Sequence, residues 1–249
     1  HEIACDAETL INVVGKDITI DLNGKVVTIN ADAEKAARVV FRTDANAKLT
    51  VQDSVGTGSV TANGEGVLHY MFRNEGEMTI KSGSYELSAL TGGAMFFSTN
   101  SNMLVEGGNF KQTTEGWMFN AIGNGANVIT AVGGTFNRYF IGGEAFHENQ
   151  WNEVVIPSNY ALSDNGDGTW TITAVVCYNP NTGFGYASLY EAAAAAKDGE
   201  NIVLLADIAE NVVIDGKSIS LELNRMYMTG EITLASADAA LTAAKDLDV

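Results

Sequence analysis

The residues best suited to chemistry in this sequence are its carboxylates, since Asp and Glu total 31 against 14 Lys and Arg. Two carboxylic acids several ångströms apart can act as acid and base on a glycosidic bond, and clustered Asp side chains can hold Ca²⁺. The Asp residues of the predicted turns include Asp44, Asp53, Asp164 and Asp167. They do not recur at a fixed interval, and Arg73 and Arg138 have no acid at the equivalent position one repeat away. We therefore predict no catalytic residue.

Residues 164–168 are the one candidate metal site. Asp164 and Asp167 could bind Ca²⁺, but the segment lacks the distal Glu of a full calcium loop, so the sequence favours a plain turn. His69 and His147 have no His or Cys at a ligand spacing, which argues against zinc. We predict neither a structural metal nor a cofactor.

A glycan site is the remaining candidate, because the apolar faces of sugar rings stack on aromatic side chains. The residues available for it are Trp117, Tyr139, His147 and Trp151. Trp117 precedes Met118 and Phe119, which belong to a predicted core strand. Packing is therefore the favoured role for Trp117, and glycan binding is the alternative.

The elements that would position these residues are short strands that recur about every 25 residues between Leu49 and Phe140. Residues 78–85, 103–110 and 129–136 each contain an apolar strand, a Gly corner and a second strand led by an aromatic residue. A third strand carries an apolar pair whose aromatic members should stack from coil to coil. These members are Phe72, Phe96, Phe119 and Phe140. The pattern predicts an all-β fold, a parallel β-solenoid.

Asn side chains at the predicted corners would link successive coils by hydrogen bonds. The corner residues are Asn74, Asn100, Asn102, Asn124 and Asn127. Stability would then come from stacking of coils.

The sequence divides into three parts. They are a β-solenoid domain over residues 1–156, a β-hairpin linker over 157–176 and a helix-capped partial solenoid over 177–249. The helix is predicted to begin at a capping box formed by Ser188 and Glu191, to continue through an Ala run, and to end before Gly199.

A longer period also appears, because residues 15–23 and 216–224 have similar sequences. With Ile3 aligned to Ile202, this predicts a module of about 200 residues. The second of these similar segments is preceded by a predicted helix that can cover its first coil, whereas the first segment has no such helix. Residues 230–249 are expected to trail off without completing coils. An uncovered solenoid end presents unpaired backbone N–H and C=O groups. We therefore expect end-to-end contacts, or a chain cut from a longer array.

The composition limits the classes of partner that this protein can bind. The net charge of −17 would repel a phosphate backbone, so nucleic acid is excluded as a partner, and the scarcity of Lys and Arg argues against a basic membrane-binding patch. No apolar run reaches the roughly 18 residues of a membrane span. Cys5 is expected to be a small buried side chain, although a bridge to Cys177 is left open. A start at His1 suggests a processed or excised product.

Residues 18–25 and the coil pattern resemble the pectate-lyase-like superfamily of right-handed parallel β-helices, a likeness that covers most of the chain through structural motifs of low specificity. The resemblance implies a right-handed β-helix. The polygalacturonase signatures of that superfamily are absent. Residues 160–170, followed by a helix-capped opening, are similar to uncharacterised repeat-bearing surface proteins of gut bacteria, and phage fibre and decoration proteins use similar modules.

Together these patterns predict a secreted or cell-surface, non-catalytic β-solenoid that is structural or adhesive and forms homo-oligomers through its ends. One alternative is a polysaccharide lyase or glycoside hydrolase with an acidic groove. The other is a phage fibre or capsid-decoration protein that binds glycans on a virion surface.

Overall fold

A computed structural model describes residues 2–4, 9–31, 39–64, 69–88, 93–99, 101–113, 116–122, 129–137 and 154–244. The chain forms two compact units, His1–Pro157 with Asp164–Ile172, and Ser158–Ser163 with Thr173–Val249. The division runs through a β-hairpin that lies within the segment predicted as a linker. Several residues singled out above lie outside the described residues: Cys5, Asn100, Asn124, Asn127, Arg138, Tyr139, Phe140, His147 and Trp151.

The first unit consists of short β-strands, and the hairpin through which the division runs adds two more. They are β1 (Glu2–Ala4), β2 (Thr9–Val13), β3 (Asp17–Asp21), β4 (Val26–Ala31), β5 (Val39–Thr43), β6 (Lys48–Gln52), β7 (Ser59–Gly64), β8 (Tyr70–Asn74), β9 (Glu77–Ile80), β10 (Ser84–Leu87), β11 (Ala94–Thr99), β12 (Asn102–Val105), β13 (Asn109–Gln112), β14 (Trp117–Ile122), β15 (Ile129–Ala131), β16 (Gly134–Phe136), β17 (Val154–Val155), β18 (Tyr160–Asp164) and β19 (Trp170–Ala174).

From β1 to β16, every third strand joins the same sheet, which is the topology of a parallel β-helix. Sheet 1 has the order β1-β4-β7-β10-β13-β16 and continues into β19 and β18, sheet 2 has the order β2-β5-β8-β11-β14, and sheet 3 has the order β3-β6-β9-β12-β15-β17. Strands of successive coils pair in parallel, and β16 pairs antiparallel with β19. The predicted fold class, a parallel β-solenoid, is confirmed.

The interior of the first unit is built around stacked aromatic rings. Phe72, Phe96 and Phe119 pair in register in sheet 2, with ring centroids 5.4 Å and 4.9 Å apart and nearly parallel planes. Phe41 extends the stack below Phe72 at 5.3 Å. The sequence interval missed Phe41 because 31 positions separate it from Phe72, against 24 between Phe72 and Phe96. All four rings are buried.

A second aromatic stack rises from sheet 1. Tyr85 and Phe110 are 5.5 Å apart, and Phe110 and Phe136 are 5.2 Å apart, in stacked geometry. Phe96 meets Phe110 edge to face at 4.8 Å. Such pairs contribute about 0.5–1.5 kcal/mol each beyond their buried area, so the two stacks hold successive coils in one register.

The second unit contains a hairpin, a short helix and further short strands. They are β20 (Cys177–Asn179), β21 (Phe184–Tyr186), α1 (Leu189–Ala195), β22 (Asn201–Leu204), β23 (Ile208–Ala209), β24 (Val212–Ile214), β25 (Ser218–Glu222), β26 (Met228–Thr229), β27 (Ile232–Leu234) and β28 (Ala240–Ala244).

These strands also form parallel coils, with a period of about 20 residues. β22, β25 and β28 pair in parallel in one sheet, β23 pairs with β26, and β24 pairs with β27. The expectation that residues 230–249 trail off is wrong as far as residue 244, because β27 and β28 continue the coils. The sequence of β28 is rich in Ala and carries little strand signal on its own. Its register on β25 of the preceding coil therefore determines its structure.

The helix begins as predicted. The Ser188 side chain accepts a hydrogen bond from the Glu191 N–H at 3.1 Å, whereas the Glu191 carboxylate accepts one from the Ser163 hydroxyl at 3.4 Å. Gly199 has φ of +79°, the left-handed conformation expected after the helix. The C-cap itself is Ala196, so Gly199 lies beyond the helix end and shapes the turn into β22.

The two similar sequence segments adopt the same local structure. Gly15 precedes β3 with φ of +56°, and Gly216 precedes β25 with φ of +64°. The strand pairings correspond as well. In the first unit β1 pairs with β4, β2 with β5 and β3 with β6. In the second unit β23 pairs with β26, β24 with β27 and β25 with β28. The alignment of Ile3 with Ile202 is wrong, because β1 corresponds to β23 whereas Ile202 lies in β22.

Candidate functional site: the edge of β3

Strand β3 lies at the end of sheet 3, and among the described residues no strand pairs with it on the side away from β6. Leu22 N donates to Gln52 O and Lys48 N donates to Lys16 O, both at 2.8 Å. Because backbone groups alternate in direction along a strand, the N–H of Thr19 faces away from β6. The edge therefore offers backbone donors and acceptors to another strand.

The same edge exposes an apolar side chain that belongs to the interior. Ile18 pairs in register with Leu49, and the row continues through Met78 and Met103. Those three side chains are 1% exposed, whereas Ile18 is 38% exposed. At the equivalent place in the second unit, Ile219 is 3% exposed, because β22 lies on that side of β25. The exposure of Ile18 therefore reflects an interior row that is not covered at this coil.

Asp21 stabilises the corner at the end of this strand. Its carboxylate accepts hydrogen bonds from the N–H groups of Ser54 at 3.0 Å and Asn23 at 2.8 Å, and from the Gln52 side chain at 3.0 Å. The Ser54 N–H, with Gln52 and Asn23, lowers the pKa of Asp21 to about 2. The carboxylate is thus a structural acceptor between two coils.

Arg73 has no acid at the equivalent position one coil away, as the sequence indicates, because Arg42 and Phe97 occupy those positions. Its acidic partner lies on its own coil. Arg73 contacts Glu75 two residues later, at 2.6 Å, and Glu75 also bonds to Arg42 of the preceding coil at 3.0 Å. Arg42 in turn contacts Asp44 at 3.1 Å. Burial raises the pKa of Glu75, but its hydrogen bonds with Arg42 and Arg73 outweigh burial and lower the pKa. Two arginines thus neutralise two carboxylates, an arrangement suited to holding coils together.

A cleft of about 400 Å³ lies on sheet 1. Its lining includes Ser84, Glu86, Asn109, Lys111 and Thr135, in adjacent register positions of β10, β13 and β16. Lys111 forms an ion pair with Glu86 at 3.0 Å. The row presents hydroxyl, amide and charged groups at the spacing of β-strands, about 4.8 Å. Such a row can hydrogen-bond an extended polar ligand.

Of the four residues considered for a glycan site, the structure describes Trp117 only. Trp117 is half-buried at the start of β14, where it pairs in register with Ala94. Tyr139, His147 and Trp151 lie outside the described residues. The glycan set therefore stays a prediction.

The residues of the calcium candidate stabilise a turn. Asp164 accepts a hydrogen bond from the Gly166 N–H at 2.8 Å, and Asp167 accepts from the N–H of Thr169 at 3.0 Å and from its hydroxyl at 2.5 Å. The Thr169 hydroxyl and N–H lower the pKa of Asp167. No three His, Cys, Asp or Glu side chains within the described ranges converge as a metal site.

Cys177 has a free, buried thiol, so the question left open by the sequence is answered in favour of an unbridged side chain. Its sulfur contacts the Ser188 carbonyl oxygen at 3.5 Å. Burial raises the pKa of the Cys177 thiol to about 12, and Glu210 and Glu191 add to this. The thiol is therefore unsuited to nucleophilic chemistry.

Within the described residues, no helix has the length and apolar character needed to cross a membrane. No family model, curated protein or solved structure matches this chain.

Proposed function

We propose that this protein is a non-catalytic structural or adhesive β-solenoid, secreted or displayed at a cell surface, that associates with other copies through the ends of its coils. The observation that carries the proposal is the edge of β3, where Ile18 of the interior row is exposed beside backbone groups with which no described strand pairs. A strand edge with an exposed apolar residue is a template for pairing with another chain.

The described strands supply an edge of matching polarity. β28 lies at the end of its sheet and pairs with β25 on its other side. Coils follow one another in chain order. The free side of β28 faces the direction in which a following coil would be added, and the free side of β3 faces the direction of a preceding coil. Pairing of β28 in one copy with β3 in another would continue the parallel order. Such a head-to-tail contact is heterologous, so it propagates into filaments unless the rotation closes a ring.

The non-catalytic assignment is supported by what the described carboxylates do. Asp21 and Asp167 accept backbone hydrogen bonds, and Glu75 and Asp44 are paired with arginines. A lyase or hydrolase of the pectate-lyase-like type would need carboxylates free to bind Ca²⁺ or to act as acid and base. We therefore take only the fold from the resemblance to that superfamily, and we do not propose its catalytic chemistry for this protein.

Light scattering after size-exclusion chromatography tests the proposal over a wide concentration range. We expect the parent protein to form oligomers or filaments, and Ile18→Lys to remain monomeric because a charge at the edge opposes strand pairing. Val55→Lys is the matched control, since Val55 is exposed in a turn and should leave association unchanged. A parent protein that stays monomeric at high concentration, or equal behaviour of both variants, contradicts the proposal.

Glycan binding in the cleft on sheet 1 is the second candidate function, favoured by the row of Ser84, Asn109 and Thr135. It corresponds to the phage-fibre or decoration-protein alternative. Retention on a glycan array that is lost in Asn109→Ala would support it. Release of unsaturated or reducing sugars from acidic polysaccharides by the same protein would favour a lyase or hydrolase instead.

A further inference from the structure

A second cleft lies on the outer face of sheet 3, with a volume of about 370 Å³, which is within the range of small-molecule sites. It is lined by residues of β9, β12 and β15, and β6 separates these strands from β3. Met78 and Met103 of these strands are buried in the interior, so the residues on either side of them face outward. The cleft therefore presents outward side chains of three successive coils.

The centre of this cleft is aliphatic. Leu104 pairs in register with Thr79 on one side and with Thr130 on the other. All three side chains are half-buried. Because neighbouring strands lie about 4.8 Å apart, an outward leucine is flanked by a hydroxyl-bearing side chain on each side.

Two further polar side chains lie beside this row. Glu77 and Asn102 are exposed, pair in register and precede Thr79 and Leu104 by two residues. The Glu77 Oε2 atom contacts the Lys48 ammonium at 2.7 Å, in an exposed pair that leaves the other carboxylate oxygen for a ligand. Within the described part of the chain, the Asn102 amide and the threonine hydroxyls of the row have no side-chain or backbone partner. These groups are therefore available to a ligand as donors and acceptors.

The cleft on sheet 1 differs in this respect. There the Asn109 amide donates to the Ser84 hydroxyl at 3.4 Å, and the hydroxyls of Thr135 and Thr171 are 2.9 Å apart. A ligand on sheet 1 competes with these contacts. A ligand on sheet 3 gains its hydrogen bonds without displacing a described side chain from Asn102.

The charge of the lining selects the class of ligand. Glu77 is the one charged side chain among the described residues of the lining. A carboxylate accepts hydrogen bonds from hydroxyl groups and repels a second carboxylate. The net charge of −17 adds to that repulsion. The cleft thus favours a neutral ligand that donates hydrogen bonds over an acidic one.

We propose that this cleft binds a neutral sugar ring, whose C–H face packs on Leu104 while its hydroxyl groups bond to Glu77, Asn102 and the two threonines. A sugar ring combines an apolar face with a rim of groups that donate and accept, which is the complement of this surface. The site goes beyond the proposed function and depends neither on self-association nor on the cleft on sheet 1. It gives the solenoid a contact with glycan-bearing surfaces on a side face, away from its ends.

Saturation-transfer NMR on the full chain tests the proposal with the methyl glycosides of glucose, galactose and mannose. We expect at least one of them to bind with a Kd of about 1 mM, a typical affinity for a ligand of this size, and galacturonic acid to bind about fivefold more weakly. Leu104→Asp should abolish binding, and Asn102→Ala should weaken it about fivefold. Val213→Asp, at an exposed position in the second unit, is the control and should bind as the parent protein does.

A further variant tests the ligand class. Glu77→Gln keeps a hydrogen-bonding side chain and removes the negative charge, so galacturonic acid should bind it about fivefold more tightly than it binds the parent protein. Unchanged binding of galacturonic acid would mean that Glu77 does not select against acidic sugars, and the neutral class would be wrong.

Three outcomes overturn the site itself. The first is that none of the three glycosides binds. The second is that Asn102→Ala binds as the parent protein does, a variant that stays informative if Leu104→Asp does not fold, because Asn102 is exposed. The third is that binding is lost in Asn109→Ala and retained in Asn102→Ala, which would assign the sugar to the cleft on sheet 1.

Discussion

The Asn74 side-chain oxygen accepts a hydrogen bond from the Thr43 hydroxyl of the preceding coil at 2.5 Å. The amide nitrogen of the same side chain donates to Asn102 O at 2.8 Å and to the Ser101 hydroxyl at 3.1 Å in the following coil. Asn74 is fully buried. One side chain thus links three successive coils, as predicted for a corner asparagine.

Asn74→Ala should lower the free energy of unfolding by about 2–4 kcal/mol, because it leaves several buried polar groups of three coils without their partner. Urea denaturation followed by circular dichroism measures the loss. Asn109→Ala is the control, since Asn109 is exposed and its amide meets the Ser84 hydroxyl at 3.4 Å. A loss for Asn74→Ala no larger than that of the control would contradict the linking role.

Phe96→Ala should be among the most destabilising single changes in the first unit. Phe96 contacts Phe72, Phe119 and Phe110, and removal of a buried phenyl ring costs about 3–5 kcal/mol. Thermal unfolding monitored by calorimetry measures the effect. Phe184→Ala removes an equally large but exposed ring and should change Tm little. Equal effects of the two substitutions would show that the aromatic stack is not the core of the unit.

The aromatic stack could be predicted from sequence because Phe72, Phe96 and Phe119 recur at nearly constant spacing. The partial solenoid of the second unit could be predicted too, but the continuation of its coils beyond residue 230 could not, because β28 is rich in Ala and has no strand pattern apart from its pairing. In the candidate site, the similar segments at Gly15 and Gly216 were visible as sequence. The role of Lys217, which donates to the carbonyl oxygens of Ala194 and Ala196 at the end of α1, was not, since it depends on the position of those carbonyls in three dimensions.

The Arg73–Glu75 pair was missed for a related reason. The sequence repeat relates positions one coil apart, whereas Glu75 lies two residues from Arg73 along the same coil and also bonds to Arg42 of the coil below. Spacing along the sequence shows which residues occupy equivalent positions in successive coils. It does not show which long side chains reach across a corner.

Asp21 should make stability depend on pH in the acid range. Its pKa in the folded protein is about 2, below the ordinary value near 4, so its contribution is complete above about pH 5 and is lost as pH falls from about 4 towards 2. Asp21→Asn should therefore be less stable than the parent protein at pH 7, and the difference should shrink towards pH 2. Urea midpoints measured across this range test the prediction. Asp238→Asn, at an exposed position, is the control. A stability difference between the parent protein and Asp21→Asn that stays constant with pH would contradict the prediction.

Cys177 should resist thiol reagents as long as the second unit is folded. Its pKa of about 12 leaves roughly one molecule in 10⁴ as the reactive thiolate at pH 8, and the side chain is fully buried in the cluster that contains Leu189. Iodoacetamide labelling, read out on the peptide that contains Cys177, should be negligible in native buffer and rapid in concentrated urea. Leu189→Ala should accelerate native labelling, because it loosens the packing of α1 over the thiol, while Tyr190→Ala, at an exposed position of the same helix, should not. Labelling of native Cys177 as fast as in urea would mean that α1 does not cover the thiol in the folded protein.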